Sequence, residues 1–130
     1  MTTKMKPEIK KLWVDALRSG EYKQGREALS VGGAFCCLGV LCDLAVKAGV
    51  TTCTIEDETG RLLYSSDLDA DTLPLVVQEW AGLRNSDPEV QVTICEGSDL
   101  EDTTYKQLSE LNDSLRFNFQ QIADKIEKQL

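Results

Sequence analysis

Between Ala34 and Ala48 only Asp43 and Lys47 carry charge, and apolar residues occupy nearly the whole circumference of the helix this run would form. A helix without a polar face must be covered on several sides, so the rest of the chain has to supply elements that wrap it. At 130 residues there is length for one domain and too little for two of typical size. The apolar fraction of 42% is enough for one core without disulfides or metals.

Periodicity identifies the wrapping elements. Pro7 and Glu8 suit a first helical turn, Ile9, Leu12, Trp13, Ala16 and Leu17 fall on one helical face, and Gly20 fits the left-handed stop. Leu73, Val76, Val77, Trp80 and Ala81 repeat the spacing, with Asp71 or Thr72 as cap and Gly82 as stop. A short helix is expected near Thr104 to Leu111, capped by Thr103 or Thr104. A last one carries Phe119, Ile122, Ala123, Ile126 and Leu130 on its apolar face, with Asp113 or Ser114 capping its start. Val50 to Glu56 and Arg61 to Ser65 are strand-compatible around Asp57-Glu58-Thr59-Gly60, which predicts a hairpin, and Val90, Val92 and Ile94 alternate with polar neighbours as a third strand. The expected fold is a single α+β domain over residues 1–130, with about five helices around a small, mostly antiparallel sheet.

The chain has no histidine, which removes the commonest general base at neutral pH and every Cys-His or Ser-His arrangement. Five cysteines, including the adjacent pair Cys36 and Cys37, fit reduced thiols better than a disulfide framework. Cys36, Cys37 and Cys42 are expected in the core, and without histidine or a CxxC pair zinc is disfavoured. Asp67, Asp69 and Asp71 resemble the opening of a calcium loop. Thr72 stands where that loop needs glycine, and Gln78 stands where it needs glutamate, so no metal or other cofactor is expected.

The net charge of -8 is unevenly spread: residues 1–50 hold eight basic and five acidic residues, whereas residues 56–113 hold three basic and fifteen acidic. This disfavours general nucleic-acid binding, which depends on neutralising phosphates. The longest apolar run is far too short for a membrane span, and residues 1–20 contain no signal-peptide pattern, so a cytoplasmic location is expected. Residues 21–33 form a polar loop or short irregular hairpin. Lys23 and Arg26 flank Gln24 and Gly25 there, combining charge, directional donors and a backbone that allows close approach. With Arg18, Tyr22, Gly32 and Gly33, and the N-terminus of the following core helix, these residues make a candidate anion-binding site.

Trp13-Val14-Asp15-Ala16-Leu17-Arg18-Ser19-Gly20, Tyr22-Lys23-Gln24-Gly25, Phe35-Cys36-Cys37-Leu38-Gly39-Val40-Leu41-Cys42-Asp43, Trp80-Ala81-Gly82-Leu83 and Leu111-Asn112-Asp113 with Phe119, Ile122, Ala123 and Asp124 resemble a family of small phage and prophage accessory proteins. Thr51 to Thr72 lie outside that resemblance. It implies an accessory role in which counter-defence is common, including sequestration of nucleotide-derived immune signals. The expected function is therefore non-enzymatic binding of a small phosphorylated or nucleotide-like ligand by Arg18, Lys23, Gln24 and Arg26, with Tyr22 free to stack on a base. Two alternatives stay open: an inhibitor whose acidic middle docks on a basic host protein, and a small metal-assisted hydrolase built on the acidic loop. A symmetric homodimer is a further expected assembly.

Overall fold

A computed structural model of the chain describes residues 5–25, 29–31, 33–55, 62–64, 73–83, 85, 87–94 and 102–130. Five helices occur among these residues: α1 (Pro7–Arg18), α2 (Cys37–Lys47), α3 (Leu75–Ala81), α4 (Leu108–Asp113) and α5 (Phe119–Gln129). The strands are β1 (Lys23–Gln24), β2 (Ser30–Val31), β3 (Ala34–Phe35), β4 (Cys53–Ile55), β5 (Leu62–Tyr64), β6 (Glu89–Ile94) and β7 (Asp102–Gln107). The fold is α+β.

The strands are short and mostly antiparallel, as expected from sequence, and among the described residues they fall into three groups. They form a three-stranded sheet in the order β1-β3-β2 and two separate pairs, β4-β5 and β6-β7. Pairing is antiparallel except between β1 and β3, which run parallel with Lys23 opposite Ala34 and Gln24 opposite Phe35. Lys23–Gln24 and Ser30–Val31 thus both pair with the lead-in to α2 as very short strands.

Helix α2 lies at the centre, with Cys37, Leu38, Val40, Leu41, Cys42 and Ala45 all fully buried. α1, α3 and α4 each pack against it, and α5 packs on α1, α4 and β6. Because its first turn is buried, the polar groups there are satisfied internally. Cys36 caps the helix by accepting the Gly39 N–H at its Sγ, 3.4 Å away. The buried Trp13 indole N–H donates to the Cys37 carbonyl at 2.9 Å, tying α1 to the first turn of α2. The Leu29 carbonyl accepts the Cys36 N–H at 3.1 Å, and it comes so close that a Cβ on Gly39 would lie 1.7 Å from it.

Several element boundaries differ from the sequence reading. Thr103 and Thr104 do not cap a helix but belong to β7, which pairs with β6 from Glu89↔Gln107 to Ile94↔Asp102; α4 starts only at Leu108. Threonine is a good strand former, and β6 supplies the partner strand that the local sequence does not announce. α3 begins at Leu75 with Pro74 at its N-cap, while Asp71 and Thr72 lie outside the described residues. α5 is capped by Asn118 rather than Asp113 or Ser114. Asn118 and Gln121 form a reciprocal capping box, each side chain accepting the other's backbone N–H at 2.9 Å. The strands expected on either side of residues 57–60 pair antiparallel as β4 and β5, while residues 57–60 themselves lie outside the described ones.

Gly39→Ala is expected to destabilise the protein by at least about 3 kcal/mol, since the added methyl meets a backbone oxygen rather than a flexible side chain. Thermal unfolding should then show a fall of roughly 10 °C, outweighing the ordinary helix preference for alanine.

Candidate functional site

The structure divides the candidate residues between internal ties and a surface cleft. Arg18, in the last turn of α1, is forked between two acids of α5: its guanidinium donates to Asp124 Oδ1 and Glu127 Oε2, each at 2.6 Å. Hydrogen bonding to Asp124 and then to Glu127 raises the guanidinium pKa further above its already high ordinary value. Arg18 is therefore neutralised where it sits, not an unpaired cation.

Gln24 also faces inward. Its Nε2 donates to Asn112 Oδ1 at 2.9 Å and to the Phe117 carbonyl at 2.8 Å. Asn112, fully buried on α4, donates from Nδ2 to the Gly25 carbonyl and to Asp113 Oδ1, both at 2.8 Å. The amides of Gln24 and Asn112 thus lock β1 onto the α4–α5 connection. Gly25 donates its N–H to the Phe35 carbonyl at 2.7 Å, and a Cβ there would sit 2.8 Å from the Ala34 side chain. Glycine at this position serves the β1-β3 contact.

Tyr22 is half-buried, edge-on to Phe35 with ring centroids 5.1 Å apart. Its hydroxyl donates to Asp43 Oδ2 and accepts from Lys47 Nζ at 3.0 Å, while Lys47 also pairs with Asp43 at 3.1 Å. Burial, followed by the Asp43 contact, pushes the phenol pKa up. Lys23 and Gly33 are exposed, the latter at φ 83°. Arg26 and Gly32 lie outside the described residues, as do Asp67, Asp69 and Asp71.

Arg18, Tyr22 and Gln24 do share one cleft. With Leu17, Gly20, Asn118, Phe119 and Gln120 they line a hollow of about 390 Å3 between the end of α1 and the start of α5. That volume falls within the range of about 300–1,000 Å3 usual for small-ligand sites. Among the described residues the Phe119 and Gln120 N–H groups, the first two of α5, have no protein acceptor. The sequence reading placed the helix terminus of this site on α2, but there Cys36, Cys37 and Leu38 are buried beneath Leu29; the open terminus belongs to α5. Asn118, Phe119 and Gln120 were not among the candidates. The Asn-x-x-Gln spacing of Asn118 and Gln121 is the signal that marks such a helix start.

Cys36, Cys37 and Cys42 are buried as expected of core thiols, whereas Cys53 is exposed. Burial pushes the Cys36 pKa up to about 12 and raises those of Cys37 and Cys42 well above the usual thiol value. A nucleophilic cysteine needs the opposite shift. Asp87, also buried, accepts from the backbone N–H of Ser109 at 3.0 Å and from its hydroxyl, which secures the first turn of α4. Among the described residues no helix is long and apolar enough to cross a membrane.

Fold and site together define a small α+β protein with one apolar core and a polar cleft at the seam of its first and last helices. The chain belongs to the family described as Domain of unknown function (DUF8296), whose model matches residues 5–130. Neither the curated proteins nor the solved structures contain a match to it.

Two outcomes test this geometry. Asn112→Ala should cost about 2–3 kcal/mol in urea unfolding by orphaning buried polar groups, and Asn112→Asp should cost more, because a carboxylate would then face the Gly25 carbonyl. For Cys36 the folded pKa of about 12 lies above the ordinary 9.0, so its contribution to stability is complete below pH 9.0 and is lost as pH rises towards 12. Peptide-mapped alkylation at neutral pH should accordingly label Cys53 and spare Cys36, Cys37 and Cys42 until the chain unfolds.

Proposed function

We propose that this protein is a non-enzymatic phage accessory protein, with counter-defence as its setting, and that the cleft between α1 and α5 sequesters a small phosphorylated or nucleotide-like signal. The observation that carries this reading is the meeting of Arg18, Tyr22 and Gln24 with the start of α5, whose first two N–H groups have no acceptor among the described residues. A helix N-terminus offers backbone donors and a partial positive charge to an anion, and this one opens into a hollow of suitable size. The amides of Asn118 and Gln120 and the ring of Tyr22 supply polar and aromatic surface for a base or sugar. Lys23, exposed beside them in sequence, adds steering charge.

Binding rather than catalysis is favoured by the lack of histidine and by thiols held protonated in the core. Arg18 is already shared between Asp124 and Glu127, so a ligand phosphate gains from it only by competing with two carboxylates. The N–H groups of α5 therefore carry more of the recognition than the loop of residues 22–26.

Native mass spectrometry of protein expressed in a bacterial host, alongside its denatured mass, is the decisive measurement. The expected result is a small anionic mass, lost on denaturation and absent from a Gln120→Glu, Lys23→Glu double variant with an unchanged circular dichroism spectrum. Retention of the same mass by that variant sinks the assignment to this cleft. Failure of the protein to bind any of a panel of mono-, di- and cyclic nucleotides by calorimetry sinks the ligand class.

A further inference from the structure

The other flank of α5 faces the edge of β6, and the two enclose a second groove of about 320 Å3 lined by Val92, Phe117, Gln121, Asp124, Lys125 and Lys128. Its charge runs against the chain as a whole. Asp124 is engaged by Arg18, whereas Lys125 and Lys128 have no carboxylate partner among the described residues, leaving two positive charges beside the groove of a protein with net charge -8.

The backbone alongside it is equally distinctive. Leu108 donates its N–H to the Pro88 carbonyl at 2.9 Å, so that pair is hydrogen-bonded across the β6-β7 ladder. Alternation along an antiparallel pair then turns the N–H and carbonyl groups of Glu89, Gln91 and Thr93 away from β7. Gln91 is met there not by a strand but by one side chain: Gln129 Oε1 accepts its N–H at 2.6 Å and Gln129 Nε2 donates to its carbonyl at 2.9 Å. A carboxamide from the end of α5 thus makes the pair of bonds that a neighbouring strand residue would make. The edge groups of Glu89 and Thr93 have no partner among the described residues.

We propose that the β6 edge and the groove beside it dock an extended acidic peptide segment by strand addition, the incoming backbone replacing the Gln129 carboxamide on Gln91. Side chains of an extended segment alternate between two faces, so every second residue enters the groove, where acidic ones reach Lys125 and Lys128 over Val92 and Phe117. Charge complementarity selects an acidic occupant, because a basic one would place like charges beside both lysines. This site lies across α5 from the cleft assigned to the small ligand, and it stands or falls independently of that reading.

A fluorescein-labelled octapeptide of alternating glutamate and valine, titrated by anisotropy, tests it, with the lysine-for-glutamate peptide as control. The acidic peptide should bind and shift the backbone amide resonances of Gln91 and Thr93. Gln129→Ala should tighten binding about fivefold by removing the competing carboxamide. Lys125→Glu with Lys128→Glu should weaken it roughly tenfold while leaving the circular dichroism spectrum unchanged. Equal binding of the basic peptide, or indifference to Gln129→Ala, overturns the proposal. A Gln129→Ala protein that dimerises through β6 without peptide also overturns it, since the edge would then be kept for a second copy.

Discussion

Everything in this fold depends on burying the start of α2 without leaving its polar groups thirsty. The helix is apolar almost all round, only its C-terminal half reaches solvent, and its first turn lies under the Leu29 segment. Three devices make that possible: the Cys36 thiol accepting the Gly39 N–H, the Trp13 indole donating to Cys37, and the missing side chain at Gly39 that admits the Leu29 carbonyl. Each couples a local requirement of the helix to another part of the chain. The position of α1 and the path of the loop before α2 follow from satisfying those groups.

The polar network around Asn112 has a similar role one layer out. Gln24 and Gly25 come from the segment after α1, Asn112 from α4 and Phe117 from the connection to α5, and their hydrogen bonds close around the buried Asn112. The Arg18 fork to Asp124 and Glu127 then fixes α1 beside α5. Both proposed surfaces are products of this arrangement. One flank of α5 meets α1 and opens the cleft at its N-terminus; the other meets β6 and makes the lysine-lined groove.

How much was legible beforehand depended on whether a residue's role was local. The periodic faces of α1 and α5, the apolar circumference of α2 and the alternation of β6 are one-dimensional signals of burial, and each of these elements is present. β7 was missed because Asp102-Thr-Thr-Tyr-Lys-Gln has no apolar alternation; only its partner β6 makes it a strand. The cap of α5 was misplaced by four or five residues because Asp, Ser and Asn are all good caps, and the reciprocal bond with Gln121 decides among them. In the candidate site, Arg18 and Gln24 looked like ligand donors because their acceptors are about ninety or more residues away in sequence.

By itself the sequence determined the class of fold, the central helix, the reduced and buried thiols and the absence of histidine chemistry, because hydrophobic spacing and residue type act over short range. Tertiary structure decided which polar residues are spent internally and which face outward. It set Arg18 against two carboxylates, turned Gln24 inward to Asn112, and left backbone groups at the start of α5 and the edge of β6 without partners among the described residues. The physical reason is that a hydrogen-bonding side chain has no fixed role until its partner is brought within about 3 Å, and long-range packing alone does that.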